Sequence, residues 1–126
     1  ARHKVDKVVA IESRGFLFGS AVAQRLGVGL VPVRKKGKLP FKTFSATYQL
    51  EYGHDTVEIH VDGLRPGERV LVVDDVLATG GTVEAVTKLV VQAGAHPTAA
   101  VFAIELEFLK GRQKLTNVDV VSLISF

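Results

Sequence analysis

Residues 70–82 read VLVVDDVLATGGT, and this segment is the most informative part of the sequence. A short apolar run rich in valine is typical of a strand that is buried on both faces of a parallel sheet. Two carboxylates, Asp74 and Asp75, stand at the end of this run, and a loop of Thr and Gly then leads into a helical pattern. The order of strand, acidic pair, glycine loop and helix predicts a binding site for a phosphorylated ligand.

Each part of this loop has a chemical use. Its glycines let a phosphate approach the backbone, whose N–H groups attract an anion together with the helix N-terminus. Asp74 and Asp75 can orient sugar hydroxyls or the water around Mg²⁺. A turn without a ligand is the alternative, but it needs neither a second glycine nor flanking hydroxyls. The phosphate loop, residues 78–82, therefore supplies five predicted binding residues: Ala78, Thr79, Gly80, Gly81 and Thr82.

A second unit of the same kind occupies residues 8–26. The apolar residues 8–11 lead into Glu-Ser-Arg-Gly, and Phe18, Val22 and Leu26 then recur at helical spacing. Two strand-loop-helix units in one short chain favour two contact points with one ligand. The alternative is an ordinary helix entry in which Ser13 caps the helix and Arg14 is solvated.

Together these residues resemble the type I phosphoribosyltransferases. Residues 70–82 are similar to the motif that binds phosphoribosyl pyrophosphate (PRPP), and residues 11–19, IESRGFLFG, narrow the likeness to adenine phosphoribosyltransferases. The resemblance implies an α/β fold, with a mostly parallel central sheet flanked by helices and a flexible lid loop. It also implies that Ser13, Arg14 and Gly15 hold pyrophosphate, often with a cis peptide bond before the serine.

Two further blocks extend the resemblance. Residues 33–40, VRKKGKLP, form a basic loop, and residues 48–53, YQLEYG, match the family's catalytic lid. A charge run can be merely a solvated face, but its Gly and Pro favour an ordered turn. The resemblance assigns Arg34, Lys35 and Lys38 to pyrophosphate, commonly across the interface of a homodimer. The resemblance also assigns Tyr48, Glu51 and Tyr52 to the lid.

The implied reaction is transfer of the phosphoribosyl group of PRPP to adenine, which yields AMP and pyrophosphate and salvages the purine. PRPP carries Mg²⁺, with no direct protein ligand. The predicted catalytic residues are Glu51, which handles the purine proton, together with Asp75 and Arg14. Val76 and Leu106 match positions that pack against adenine, and ordinary core packing is the alternative for both.

Composition is consistent with one enzyme domain. The chain has 126 residues, of which 47% are hydrophobic, so we expect a single phosphoribosyltransferase core domain over residues 1–126. The formal net charge of +3 is too small to indicate a nucleic-acid partner. The absence of Cys excludes disulfides and a Cys nucleophile. Without a signal peptide or an apolar run of membrane length, we expect a cytoplasmic protein with no membrane partner.

The remaining patterns give an element order. We predict strands at residues 7–12, 30–34, 48–51, 56–61, 98–106 and 119–124, besides the strand that precedes the phosphate loop. Helices are predicted at residues 16–26 and after the phosphate loop, where Gly94 ends the second helix. Residues 35–47 are predicted as the lid, because their aromatic and hydroxyl residues show no clean period. Residues 109–115 are predicted as a short helical or irregular connection.

One departure from the family concerns base selection. Members normally carry a segment before the first strand that forms a hood over adenine, and here the first predicted strand begins at Lys7. We therefore expect base specificity, turnover and dimerisation to be weakened, whereas binding of PRPP and of the AMP phosphate should be retained. The alternative function is a non-catalytic PRPP- or AMP-binding module, or an inactive truncated or engineered core of the same fold.

Overall fold

The computed structural model describes residues 4–39, 42–49 and 53–126. Parallel strands alternate with two helices, as the valine-rich runs and the helical spacings predict. In chain order the elements are β1 (Lys7–Ile11), α1 (Gly15–Leu26), β2 (Gly29–Lys35), β3 (Thr43–Gln49), β4 (His54–His60), β5 (Arg69–Leu77), α2 (Gly81–Gln92), β6 (His96–Glu105), two 3-10 helices (Glu107–Leu109 and Gly111–Lys114) and β7 (Asp119–Ser125).

The seven strands form one sheet in the order β3-β4-β2-β1-β5-β6-β7. Strands β2, β1, β5, β6 and β7 are parallel neighbours, whereas β4 pairs antiparallel with both β2 and β3. The predicted α/β class with a mostly parallel sheet is confirmed. The carboxyl ends of β1, β2 and β5 meet at one edge, where open α/β sheets bind their ligands.

The core lies in two layers, one on each face of the sheet. Successive side chains of a strand point to opposite faces, and β1 follows this rule with buried residues on both. Val8 packs in the cluster that contains Ala23 of α1, while Val9 packs in the cluster that contains Val86 and Leu89 of α2. Each helix therefore covers its own face, and the loops that precede α1 and α2 emerge at the same edge.

The structure corrects the predicted lid. Residues 43–47 belong to β3, which pairs with β4 along its whole length, and β2 extends to Lys35. Phe44, Ala46 and Tyr48 pack against the core, while the residues between them are exposed, so a period of two was present and our interpretation missed it. The lid boundaries at residues 35–47 were therefore wrong, and the strand that we predicted to begin at Tyr48 begins earlier, at Thr43. Glu51 and Tyr52 lie outside the described residues.

Other boundaries agree within about two residues. Strand β4 begins at His54 and β6 at His96, slightly earlier than predicted. Helix α2 ends at Gln92, and Gly94 follows in the left-handed region with φ of 86°, which is the predicted stop signal. Neither helix in the described part of the chain has the length and hydropathy that a bilayer crossing requires.

Candidate active site

The phosphate loop joins β5 to α2 at the carboxyl edge of the sheet. Gly80 has a φ of 88°, a left-handed conformation that glycine adopts without a steric penalty, and α2 begins at the next residue. The first N–H groups of a helix have no partner within the helix, so the start of α2 offers donors to an anion. The loop, Asp74 and the residues at either end of the loop line a small cavity of about 80 Å³.

The β1–α1 loop, residues 12–14, lies against the end of β5. Its Glu12–Ser13 peptide bond is cis, as the resemblance implied. A β-carbon at Gly15 would lie 3.0 Å from the carbonyl oxygen of Val73 and 3.1 Å from Asp74 Oδ1. A side chain here would crowd β5, so Gly15 lets the start of α1 lie close against the part of β5 that carries Asp74. The result is an ion pair between Arg14 Nε and Asp75 Oδ2 at 3.4 Å.

A polar cavity of about 280 Å³ opens between the two loops and β2. Eight of the predicted site residues line it, from the pyrophosphate, ribose and lid groups: Ser13, Arg14, Arg34, Lys35, Tyr48, Asp74, Asp75 and Thr82. The structure thus brings together residues that are far apart in the chain. Lys38 is exposed and is not among the lining residues.

The two carboxylates in the last half of β5, Asp74 and Asp75, lie in different environments. Burial raises the pKa of Asp74 to about 7, although a hydrogen bond from the Asp75 backbone N–H to Asp74 Oδ1, at 2.8 Å, opposes this shift. Asp75 accepts a hydrogen bond from the Val76 backbone N–H at 2.9 Å and faces Arg14. Asp74 can therefore exchange a proton near neutral pH.

Arg34 is held by a residue that the sequence analysis left without a role. Arg34 Nη2 donates to Glu12 Oε2 at 3.1 Å, and the Lys35 backbone N–H donates to Glu12 Oε1 at 3.0 Å. The hydrogen bond from Arg34 lowers the pKa of Glu12 below its ordinary value. Arg34 Nε is buried and has no acceptor among the described residues. Since buried donors are normally paired, this atom is available to an anionic ligand.

Lys35 is paired in a similar way. Its Nζ donates to Tyr48 Oη at 3.2 Å and forms an ion pair with Asp55, which raises the pKa of Lys35. Glu12 could have been linked to Arg34 from the sequence, because Glu12 directly follows β1 and Arg34 lies near the carboxyl end of β2, its parallel neighbour. Asp55 could not, because its position depends on the register of β3 and β4.

The two residues predicted to contact adenine lie near the carboxyl ends of two neighbouring strands. Val76 is in β5, and Leu106 directly follows β6, whose Ile104 is the partner of Val76. Both side chains are half-buried, and the Leu106 backbone N–H donates to the Leu77 carbonyl at 2.9 Å. A larger cavity of about 720 Å³ lies at the opposite end of the sheet, where β6 and β7 begin, and none of the predicted residues lines it.

Comparison with known proteins agrees with this geometry. The phosphoribosyl transferase domain model matches residues 1–119. The adenine phosphoribosyltransferase of Syntrophotalea carbinolica is 56% identical over 98% of this chain and 72% of its own length.

Solved structures of adenine phosphoribosyltransferases have the same fold as this chain. That of adenine phosphoribosyltransferase from Thermoanaerobacter pseudethanolicus matches with a TM-score of 0.95 and 55% identity, covering 98% of this chain and 72% of the other. That of the Saccharomyces cerevisiae enzyme, complexed with an imino-altritol bisphosphate and adenine, matches with a TM-score of 0.92 and 51% identity over 96% of this chain and 68% of the other. The chain therefore belongs to the phosphoribosyltransferase family, and these relatives within it are adenine phosphoribosyltransferases.

Proposed function

We propose that this protein transfers the phosphoribosyl group of PRPP to adenine, yielding AMP and pyrophosphate. The observation that carries the proposal is the meeting of two loops, each directly before a helix, at one polar cavity with an acidic pair between them. PRPP has a phosphate at one end and a pyrophosphate at the other, so it matches two such loops. The relatives described above are named for this reaction.

The phosphate loop would hold the 5′-phosphate of PRPP. Backbone N–H groups at the start of α2 and the hydroxyls of Thr79 and Thr82 are the donors that this requires. Asp74 and Asp75 would accept hydrogen bonds from the ribose hydroxyls, because ionised carboxylates are pure acceptors. This arrangement would place C1′ of the ribose towards the 280 Å³ cavity.

The pyrophosphate would lie in that cavity, against Ser13, Arg14, Arg34 and Lys35. Gly15 and the exposed Lys38 are assigned to pyrophosphate by the resemblance only, because neither lines the cavity. Breaking the bond between C1′ and the pyrophosphate oxygen leaves positive charge on the sugar and negative charge on the leaving group. Cationic and N–H donors stabilise such a leaving group. Arg34 supports this role because its Nε lacks an acceptor among the residues described.

The new bond joins C1′ to a ring nitrogen of adenine, which loses its proton. We propose that Glu51 accepts this proton. This role comes from the resemblance alone, since Glu51 lies outside the described residues. Val76 and Leu106 would pack against the base. No covalent intermediate with the protein is required.

Mg²⁺ is the cofactor that we propose. The donor set fits it: Asp74 and Asp75 offer carboxylate oxygens at the edge of the cavity, and Mg²⁺ favours a few carboxylates with substrate phosphates and water. Asp74 and Asp75 would hold the ion through water. When bound with PRPP, it would supply positive charge to neutralise the pyrophosphate.

We also propose that the protein is a homodimer. Helix α1 exposes Leu17 by 77% and Phe18 by 42%, directly after the β1–α1 loop, and adjacent large apolar side chains of this kind are common at interfaces. Analytical ultracentrifugation of the wild type and Leu17→Asp would test this. A wild type that sediments as a monomer would contradict it.

The test of function is AMP formation from PRPP, Mg²⁺ and adenine, with hypoxanthine and guanine as control bases. We expect AMP from adenine and a much lower rate for Glu51→Ala with AMP affinity unchanged. Binding of AMP or PRPP without any product would favour the non-catalytic module instead.

A further inference from the structure

The phosphate loop has a neighbour that the proposed reaction does not use. This neighbour is the support turn, Gly111–Lys114, the second of the two 3-10 helices after β6. It lies about thirty positions further along the chain, in the segment that the sequence analysis treated only as a connection. Gly111 is its only buried residue.

The contact between Gly111 and the phosphate loop is made by backbone on both sides. A β-carbon at Gly111 would lie 2.3 Å from the Ala78 carbonyl oxygen and 3.0 Å from Gly80 N. A β-carbon at Gly80 would lie 2.6 Å from the Gly111 carbonyl oxygen. Real β-carbons essentially never approach other atoms so closely, so any side chain at Gly111 must displace the phosphate loop or the support turn.

The support turn is itself anchored, so it does not simply move away. Arg112 donates to both carboxylate oxygens of Glu105, from Nε at 3.1 Å and from Nη2 at 2.6 Å, and from Nη1 to the Val120 carbonyl at 3.0 Å. Glu105 is 3% exposed and also accepts from Ser122 Oγ at 2.8 Å. Leu115, immediately after the turn, is buried in the core. The next residue after Gly111 is therefore tied to β6 and β7.

We propose that Gly111 is a positioning residue: its backbone fixes the shape of the phosphate loop, and the Arg112–Glu105 ion pair holds Gly111 in place. The inference rests on the proposed function only in that the phosphate loop holds the 5′-phosphate. The proposal predicts that a change at Gly111 affects only one end of the ligand site. A change at Gly111 weakens the 5′-phosphate end of the ligand site and leaves the pyrophosphate end, at the β1–α1 loop and β2, unaltered.

The test compares two ligands in the wild type and Gly111→Ala by isothermal titration calorimetry. AMP probes the phosphate loop, and pyrophosphate with Mg²⁺ probes the other end. We expect the AMP dissociation constant to rise by roughly tenfold or more, while the pyrophosphate constant stays within about twofold. In steady-state assays the KM for PRPP rises more than kcat falls, because the contact with the 5′-phosphate exists before and during the reaction.

The matched control is Gly63→Ala. A β-carbon at Gly63 would lie 2.9 Å from Val31 Cγ1 and 3.2 Å from the His60 carbonyl oxygen, so it is crowded. Gly63 lies between the end of β4 and the start of β5, whereas the phosphate loop follows the end of β5. We expect Gly63→Ala to lower the melting temperature without changing the ratio of the two affinities. An equal loss of both affinities in Gly111→Ala, or an unchanged AMP affinity, would overturn the proposal.

A second variant serves if Gly111→Ala does not fold. Arg112→Lys keeps the charge but cannot bond both oxygens of Glu105 in the same way. We expect Arg112→Lys to weaken AMP binding by less than Gly111→Ala does, and to leave pyrophosphate binding unchanged. An unchanged ratio of AMP affinity to pyrophosphate affinity would again overturn the proposal. A wild type that binds AMP but forms none would refute the proposed function alone. A wild type that binds no AMP would refute both.

Discussion

The pKa of Asp74 makes AMP binding depend on pH in a defined direction. The folded protein holds this pKa at about 7, well above the ordinary value of 3.8. AMP presents ribose hydroxyls, which need a carboxylate that accepts hydrogen bonds, so binding favours the ionised form. The ionised fraction rises from about one tenth at pH 6 to about nine tenths at pH 8, and affinity should rise by roughly tenfold from this cause.

The assay is the AMP dissociation constant between pH 5.5 and 8.5 for the wild type and Asp74→Asn, without Mg²⁺. The phosphate of AMP also titrates near pH 6, but it does so equally for both proteins, so their ratio isolates Asp74. Asp75→Asn is the matched control, because it keeps the buried Asp74 and removes a negative neighbour that adds to the effect of burial on the pKa of Asp74. The AMP affinity of Asp75→Asn should still depend on pH, but the change should occur at a lower pH than in the wild type.

The same shift predicts the pH dependence of stability. Between about pH 4 and 7 the folded state binds more protons at Asp74 than the unfolded state does, so this residue makes the protein less stable as pH rises. Asp74→Asn should remove that slope from the pH dependence of the free energy of unfolding.

The AMP-binding prediction is contradicted by one result. If the ratio of wild-type to Asp74→Asn affinity stays constant from pH 6 to pH 8, then Asp74 does not control the pH dependence of AMP binding.

Three further predictions concern neighbouring contacts. Gly15→Ala, whose β-carbon would lie 3.0 Å from the Val73 carbonyl, should separate the two loops and weaken pyrophosphate binding in calorimetry, and unchanged binding would contradict the role of Gly15. Glu105→Gln should lower the free energy of unfolding by about 2 kcal/mol at neutral pH in urea titrations. Because its partner arginine lowers the pKa of Glu105, the ionised carboxylate stabilises the fold above its ordinary pKa, and this difference should vanish as pH falls through the lowered value. Asp55→Asn should release Lys35 and tighten pyrophosphate binding by a few-fold at low salt, and an effect that does not shrink with added salt would argue against an electrostatic cause.

The sequence predicted the parts of the site that are local in the chain. Residues 70–82 carry strand, acidic pair, glycine loop and helix start in one continuous segment, so their geometry follows from backbone preferences and periodicity. The β1–α1 loop is local in the same sense. Because both segments follow parallel strands, their meeting at one edge was also predictable. That β1 and β5 are neighbours, and that Gly15 allows contact, required the structure.

Contacts between distant segments were not predictable. The packing of Gly111 on Gly80 depends on how the chain returns after β6, and no local pattern in residues 107–114 indicates it. The pairing of Lys35 with Asp55 depends on the antiparallel register of β3 and β4. Strand β3 itself was missed because its aromatic and hydroxyl residues suggested an irregular segment, although alternate side chains pack on the core.

The most direct test of the central claim is a crystal structure of the protein with AMP, pyrophosphate and Mg²⁺ bound together. We expect the AMP phosphate against the backbone of residues 78–82, the ribose hydroxyls on Asp74 and Asp75, and the pyrophosphate beside Arg14 and Arg34. An AMP phosphate bound at the β1–α1 loop, or AMP bound in the large cavity at the opposite end of the sheet, would contradict it.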